Sequence, residues 1–418
     1  MVHQLGSGVK FIKDYNELNV LRFIRQNAPV SRAEIAKNYH ISKAAVTDII
    51  SRLIRQGYVS EVGVGDSTTR GGRKPIMLEF NHTAGYVIAI EIKRDHAQVA
   101  LVDLDAHIHN LEKVNYTEGS CFETVTRKIF PVIHRFLKEK WLAKSKPIGI
   151  GIGIPGIIDY ARGCIKVSDT LHNWEKVIIR DLFQNEFGLT TILENDVKTQ
   201  TLGECLFGQG KESDNLVNLW IGDGIGAGII INGNLIRGHT ASAGEVGYDE
   251  LGFFLKDQNS FPMLYRGQKD FGDILSNKLL LAAAREALQN GATSEMCVDN
   301  LTLSELTRAA NKGDALATAL LREYANILGI LCINLINMLN IELLIISGEL
   351  VNSCQVLLDF LRERVQKDIL REPAQAVKVV PGALKDTGVV LGATGLVLED
   401  LFYQDKLNVI KYRSIFKQ

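Results

Sequence analysis

The chain is 418 residues long, enough for two or three domains with sizeable buried cores. Its 46% hydrophobic and 23% charged residues belong to an ordinary globular protein and exclude a disordered or collagen-like chain. The formal net charge of −1 conceals an asymmetry: residues 1–80 carry 12 Lys+Arg against 7 Asp+Glu, a net of +5, and the remainder carries a net of −6.

A basic head on an acidic body is expected to meet a polyanion through the head. No signal-peptide apolar region opens the sequence. Its longest strongly apolar stretch, Ile327 to Leu339, is interrupted by Asn334 and Asn337, so a cytoplasmic protein without a membrane span is expected. The six cysteines are scattered with no C-x-x-C pair, which argues against a disulfide framework and a structural metal.

In chain order, "YNELNVLRFIRQNAP" places Leu18, Val20, Leu21, Phe23 and Ile24 on a helical apolar stripe that stops before Pro29. "SRAEIAKNY" opens with Ser31 and Glu34, a capping box that marks a helix start. Ser42 is a second N-cap. It precedes a helix with Val46, Ile49, Ile50, Leu53 and Ile54 facing inward and Gly57 at its close. Two short helices joined by a tight turn make a helix-turn-helix, whose second helix enters the major groove by its first turn. Ser42, Lys43, Ala44 and Thr47 are then placed to touch base edges or phosphates, with Arg52 a further basic contact. "YVSEV" and "PIMLEF" predict two strands joined by the wing "GVGDSTTRGGRK". Its Arg70, Arg73 and Lys74 can reach phosphates or a minor groove. Residues 1–80 are therefore expected to form a winged helix-turn-helix domain that binds double-stranded operator DNA.

Residues 84–418 follow a different pattern. "YVIAIEIKRDHAQVALVDLDAHIHNLEKVNY" predicts three successive strands, and "CFETVTRKIFPVIHRFLKE" a helix. "PIGIGIGIPGIID" reads as a buried strand running into a glycine turn. "TTILENDVKTQTLGECLFG" reads as a strand ending at Asn195–Asp196, then a helix that Asp196 itself can cap. The hairpin "NLWIGDGIGAGIIINGNLIRG" has Gly222, Gly224, Gly226 and Gly228 at alternate positions, a loop whose backbone N–H groups can approach an anion. Asp223 puts a carboxylate where a phosphate would sit. A long apolar helix within "LATALLREYANILGILCINLINMLN" and a strand at "IELLIIS" complete an α/β body.

With "RGGRKP" in the wing, "GIGIPG" (Gly151 to Gly156), "END" (Glu194 to Asp196), the glycine hairpin and "AGEVGY" (Ala243 to Tyr248) in this order, the chain resembles the ROK family of repressors, open reading frames and sugar kinases, and most of all its xylose-repressor branch. The resemblance implies a winged helix-turn-helix followed by an actin- and hexokinase-like body of two α/β lobes with a sugar in the cleft. It carries the sugar-contacting positions onto Asn195, Asp196 and Glu245, and the kinase base position onto Asp196.

The departures from the family pattern are informative. Lys93 and Arg94, within Glu91 to Asp95, replace the glycines of the kinases' first phosphate loop, and Asp223 replaces the threonine of the second. Ser347 to Leu350 lacks the usual glycine pair. Tyr248 stands where zinc-containing members have a histidine ligand, residues 249–268 hold no cysteine, and Thr170 stands where a sugar-binding asparagine is common. The expectation is a sugar-responsive repressor of carbohydrate-utilisation genes, without zinc, nucleotide cofactor or phosphoryl transfer, acting as a homodimer or dimer of dimers. Tyr248 is retained as a sugar contact. The alternative is an active ATP-dependent sugar kinase with a regulatory head.

Overall fold

The computed structural model describes residues 16–25, 27–65, 74–139, 145–250 and 261–402. Its head contains a helix at 16–25 (α1), β1 (Val30–Ser31), α2 (Arg32–Tyr39), α3 (Lys43–Gln56), β2 (Val59–Val64) and β3 (Ile76–Phe80). The caps act as the sequence requires. Ser31 and Glu34 complete the capping box, Ser42 Oγ accepts from Ala45 N–H, and Gly57, at φ 90°, turns the chain out of α3. Val20, Ile24, Ile35, Val46, Ile50, Leu53 and Leu78 form the buried interior. The strand order is β1-β3-β2, all antiparallel. β1 is too short for any alternation to betray it in sequence.

The first lobe begins with the antiparallel meander β4 (Gly85–Ile92), β5 (His96–Asp103) and β6 (Ile108–Asn115), covered by α4 (Phe122–Phe136). β7 (Lys146–Ile154) runs parallel to β4. A small ribbon follows, β8 (Ile157–Asp159) with β9 (Cys164–Val167), and then α5 (Ile179–Phe187), β10 (Thr191–Asn195) and α6 (Asp196–Phe207). The sheet order is β10-β7-β4-β5-β6.

The second lobe repeats this plan. β11 (Leu216–Ile221), β12 (Ile225–Ile231) and β13 (Asn234–Leu235) form the meander. α7 (Phe271–Ile274), α8 (Asn277–Gln289), α9 (Leu303–Asn311) and α10 (Ala315–Leu339) precede the parallel strand β14 (Leu343–Ser347). α11 (Glu349–Ser353), α12 (Gln355–Asp368) and α13 (Arg371–Ala376) lead to β15 (Lys378–Pro381), giving the order β13-β12-β11-β14-β15. By length and hydropathy α10 resembles a membrane span, but 67% of its most apolar window is buried within the lobe, so it is a core helix.

The last helix, α14 (Gly388–Phe402), returns to the first lobe and packs on α6, β7 and β4. Glycines allow this contact. A Cβ on Gly151 would lie 2.0 Å from the Ala393 carbonyl oxygen, and one on Gly392 would lie 1.8 Å from that of Thr199. Gly151 and Gly153 of "GIGIPG" thus admit a helix to the sheet surface.

Candidate DNA-binding face and interlobe site

Ser42, Lys43, Ala44 and Thr47 are all exposed on the first turn and a half of α3. Ser42 spends its lone pair on the Ala45 amide, 3.1 Å away, and keeps a hydroxyl proton to donate. The Thr47 hydroxyl donates to the Lys43 carbonyl at 2.8 Å. Lys74 is exposed where the wing rejoins β3; Arg70 and Arg73 lie outside the described residues. Arg52 has a different duty from the one expected. Its Nε donates to Glu17 at 2.8 Å and its Nη1 pairs with Asp48, so it ties α1 to α3 inside the head. Arg32 holds Glu61 of β2 at 2.8 Å and fixes the wing against α2.

In the body, the end of β10 and the start of α6 bring the sugar-contacting candidates together. Asn195, not Asp196, is the N-cap: its Oδ1 accepts from Lys198 N–H at 3.0 Å, and its Nδ2 donates to Gly156 O and Asp196 Oδ1, each at 3.1 Å. Asp196 is the first helical residue and accepts from Val197 N–H at 2.9 Å. Burial pushes its carboxyl above the usual range, against the pull of that N–H and of Lys93. Glu245 faces the same space. Burial raises it too; Lys198, 4.0 Å away, opposes the rise and the Asp196 and Asp169 carboxylates add to it. Lys198 is 1% exposed and was not foreseen, since a lysine beside Asp196 reads in sequence as surface. Together these groups offer a sugar two carboxylates as acceptors and an ammonium as donor.

Tyr248 lies at the rim, 67% exposed, with its hydroxyl donating to Asp169. That bond, with burial and nearby carboxylates, pushes the phenol up to about 12. Thr170 follows Asp169, its N–H donating to Ser168 Oγ at 3.3 Å. Residues 251–260, part of the cysteine-free segment, lie outside the described residues. Next to Asn195, the buried Glu194 joins the lobes: Arg237 donates to its Oε2 at 2.7 Å, Tyr160 donates to its Oε1, and the Arg237 guanidinium lies 5.3 Å from the Tyr160 ring centroid.

The two turns corresponding to phosphate loops, β4–β5 and β11–β12, meet across the cleft. Arg94 Nη1 lies 3.4 Å from Asp223 Oδ2, and Arg94 Nε lies 3.5 Å from Glu118. Lys93 Nζ is 3.1 Å from Glu91 Oε1 and 5.9 Å from the Trp220 ring centroid. Glu91 is 3% exposed; burial pushes its carboxyl to about 7 despite Lys93, with Asp196 and Asp386 adding to the rise. Deeper in, Ser347 donates to Asn218 Oδ1 at 2.7 Å, and Asn218 Nδ2 donates to Thr201 at 3.2 Å.

The sequence profile of the ROK family matches residues 87–400, and a winged helix-turn-helix DNA-binding profile matches residues 13–60. A xylose repressor of Caldicellulosiruptor bescii is 31% identical over 394 residues, 93% of this chain and 97% of that one. The crystal structure of a ROK family transcriptional regulator, a homologue of the Escherichia coli MLC protein, superposes with a TM-score of 0.79 at 22% identity, covering 97% of this chain and 99% of the other. A ROK family glucokinase from Streptomyces griseus, in complex with glucose and AMPPNP, gives a TM-score of 0.61 at 21% identity over 75% of this chain and 99% of its own.

Proposed function

Because the chain belongs to the ROK family, we propose that it is a DNA-binding, sugar-responsive transcriptional repressor of carbohydrate-utilisation genes. The observation that carries the reading is a winged head with the tip of α3 exposed, joined to a body whose cleft gathers Asn195, Asp196, Lys198 and Glu245. Residues 1–80 serve as the DNA-binding head and 84–418 as the sensor. Ser42, Lys43, Ala44 and Thr47 contact operator bases and phosphates from the major groove. Lys74, with Arg70 and Arg73, neutralises phosphates from the wing.

A sugar between the lobes donates its hydroxyl protons to Asp196, Glu245 and the remaining lone pair of Asn195 Oδ1 and accepts from Lys198, with Tyr248 at the rim. Xylose is the first candidate, given the relative named for it. The sugar stabilises one arrangement of the lobes and shifts the population toward it. The heads of a homodimer then change spacing against palindromic half-sites, for a coupling of about 1–3 kcal/mol.

Phosphoryl transfer is not part of the proposal. Lys93 and Arg94 occupy one phosphate turn with long side chains, and Asp223 adds like-charge repulsion at the other. The test is a thermal-shift series on the full chain with pentoses, hexoses, their phosphates and Mg·ATP, alongside an ADP-release assay. A sugar is expected to raise the Tm, because it binds only the folded state, with no ADP release. Turnover abolished by Asp196→Asn would overturn this reading in favour of a kinase.

A further inference from the structure

The head and body meet at a group of histidines and carboxylates that the sugar site does not use. His82 lies in the 3₁₀ turn His82–Ala84 that links β3 of the head to β4 of the body. Asp105 and His107 lie in the turn between β5 and β6. One nitrogen of each histidine and an Asp105 carboxylate oxygen all fall within 4.8 Å of one another.

Behind them Asp103 is 1% exposed. Its Oδ1 accepts from the N–H groups of Asp105 and His107, at 2.9 and 3.0 Å. Its Oδ2 lies 2.8 Å from His82 Nδ1, 3.0 Å from His109 Nε2 and 3.4 Å from His107 Nδ1. A buried carboxylate that takes the N–H of an imidazole fixes its tautomer and turns the other ring nitrogen outward as a ligand. In His82, whose Nδ1 makes this hydrogen bond, that nitrogen is Nε2; His107 Nδ1 approaches the same oxygen as an ion-pair contact at 3.4 Å. Asp103, Asp105, His107 and His109 alternate along the sequence, which places them together at one end of the hairpin.

We propose that this junction is a binding site for a divalent transition-metal ion of the zinc class, with His82, His107 and Asp105 as ligands and Asp103 as the residue that orients the imidazoles. Two imidazoles and one carboxylate suit zinc, cobalt or nickel rather than magnesium or calcium, which take oxygen ligands. Bonds of about 2.0–2.1 Å in a tetrahedral site place the ligand atoms about 3.3 Å from one another, against a spread of up to 4.8 Å here, so at most a small movement closes the site. The exposed His107 on its turn provides that movement and leaves the ion open to solvent. Arg25 of α1 donates to Asp105 Oδ1 at 2.6 Å and so ties the candidate carboxylate ligand to the head. A bound ion would thus join the linker, the hairpin and, through Asp105, the first helix of the head. The site is separate from the position of Tyr248, where zinc-containing relatives carry their ligand.

The test uses the chelator-stripped full chain. Zn²⁺ is titrated in competition with a chromophoric chelator, and Co²⁺ is followed by its visible absorption. The expected result is one ion per chain, an intense four-coordinate Co²⁺ band and a Tm raised by Zn²⁺. His82→Gln and His107→Gln should each weaken Zn²⁺ binding at least tenfold and abolish the Tm rise, while the metal-free variants melt with the wild type. His239→Gln, remote in sequence and outside the cluster, should bind as the wild type does. Absence of stoichiometric binding, or binding that survives both the His82 and His107 substitutions, would sink the proposal. Neither result bears on sugar binding, so failure here and failure of the repressor reading remain distinguishable.

Discussion

Glu91 has one carboxylate oxygen held by Lys93 and the other, Oε2, buried without a hydrogen-bond partner among the described residues. Burial raises its pKa to about 7, so between the unfolded value near 4.5 and pH 7 the folded state holds a proton that the unfolded state has released. Stability therefore falls as pH rises through that window, with a total on the order of 3 kcal/mol, and levels off above it. Glu91→Gln removes the titration. Urea unfolding at pH 5 and pH 7.5 should show a smaller decline in the variant than in the wild type; identical declines would contradict the assignment. The nearby Arg94–Asp223 pair is more exposed, and solvent screening keeps its contribution below about 1 kcal/mol. Asp223→Asn should consequently leave the urea midpoint almost unmoved, and a large drop would show the pair to be structural. On the DNA side, Lys43→Ala should cost about 1–3 kcal/mol of operator affinity in gel shifts at fixed salt while sparing the sugar-induced Tm rise. Unchanged affinity would mean that α3 does not present this residue to DNA.

At the scale of elements, legibility depended on whether a signal was local. α3 was readable because Ser42 and Gly57 mark its two ends and Val46, Ile49, Ile50 and Leu53 mark its face. β4, β5 and β6 were readable as a run of strands. The identical order of the two five-stranded sheets was not, because topology is carried by pairing partners distant in sequence. α14 was also hidden: Gly388, Gly392 and Gly395 weaken a helix locally, and only the close approach of α6 explains them. The site divided along the same line. "END" and "AGEVGY" nominated Asn195, Asp196 and Glu245, which the fold brings to one cleft, whereas the burial of Lys198, 4.0 Å from Glu245 of the second lobe, has no local signal. Arg52 was assigned to DNA because its charge was visible and its partners Glu17 and Asp48 were not recognised. The tight contact makes a sharp prediction. Gly392→Ala forces a methyl group onto the Thr199 carbonyl and should cost about 3 kcal/mol, read as a lowered Tm or loss of soluble protein. A variant as stable as the wild type would show that α14 can retreat from α6.

At the scale of the whole molecule, head and body share packing as well as sequence. The head's buried cluster continues through Ala84, Val87 and Leu104 into the first lobe, and Arg25 reaches Asp105 across the junction. The lobes are joined by Glu194 with Tyr160 and Arg237, immediately beside Asn195 and Asp196. In the proposed mechanism, a change of lobe angle would start one residue from Asn195 and reach the head through the sheet packed against it. Arg237→Ala should uncouple the two events: sugar would still raise the Tm, but the sugar-dependent change in operator affinity should shrink. Retained coupling would place the hinge elsewhere.

The return of α14 to the first lobe also has a consequence for the order of synthesis. The head is built from one contiguous stretch near the start of the chain, and the body residues it packs on, Ala84, Val87 and Leu104, leave the ribosome soon after it. The first lobe lacks the cover of its glycine-lined sheet until residues 388–402 have been made. During translation, the DNA-reading part of the molecule is thus finished well before the part that listens for sugar. A transcript cut short before α14 would yield a head without a working sensor.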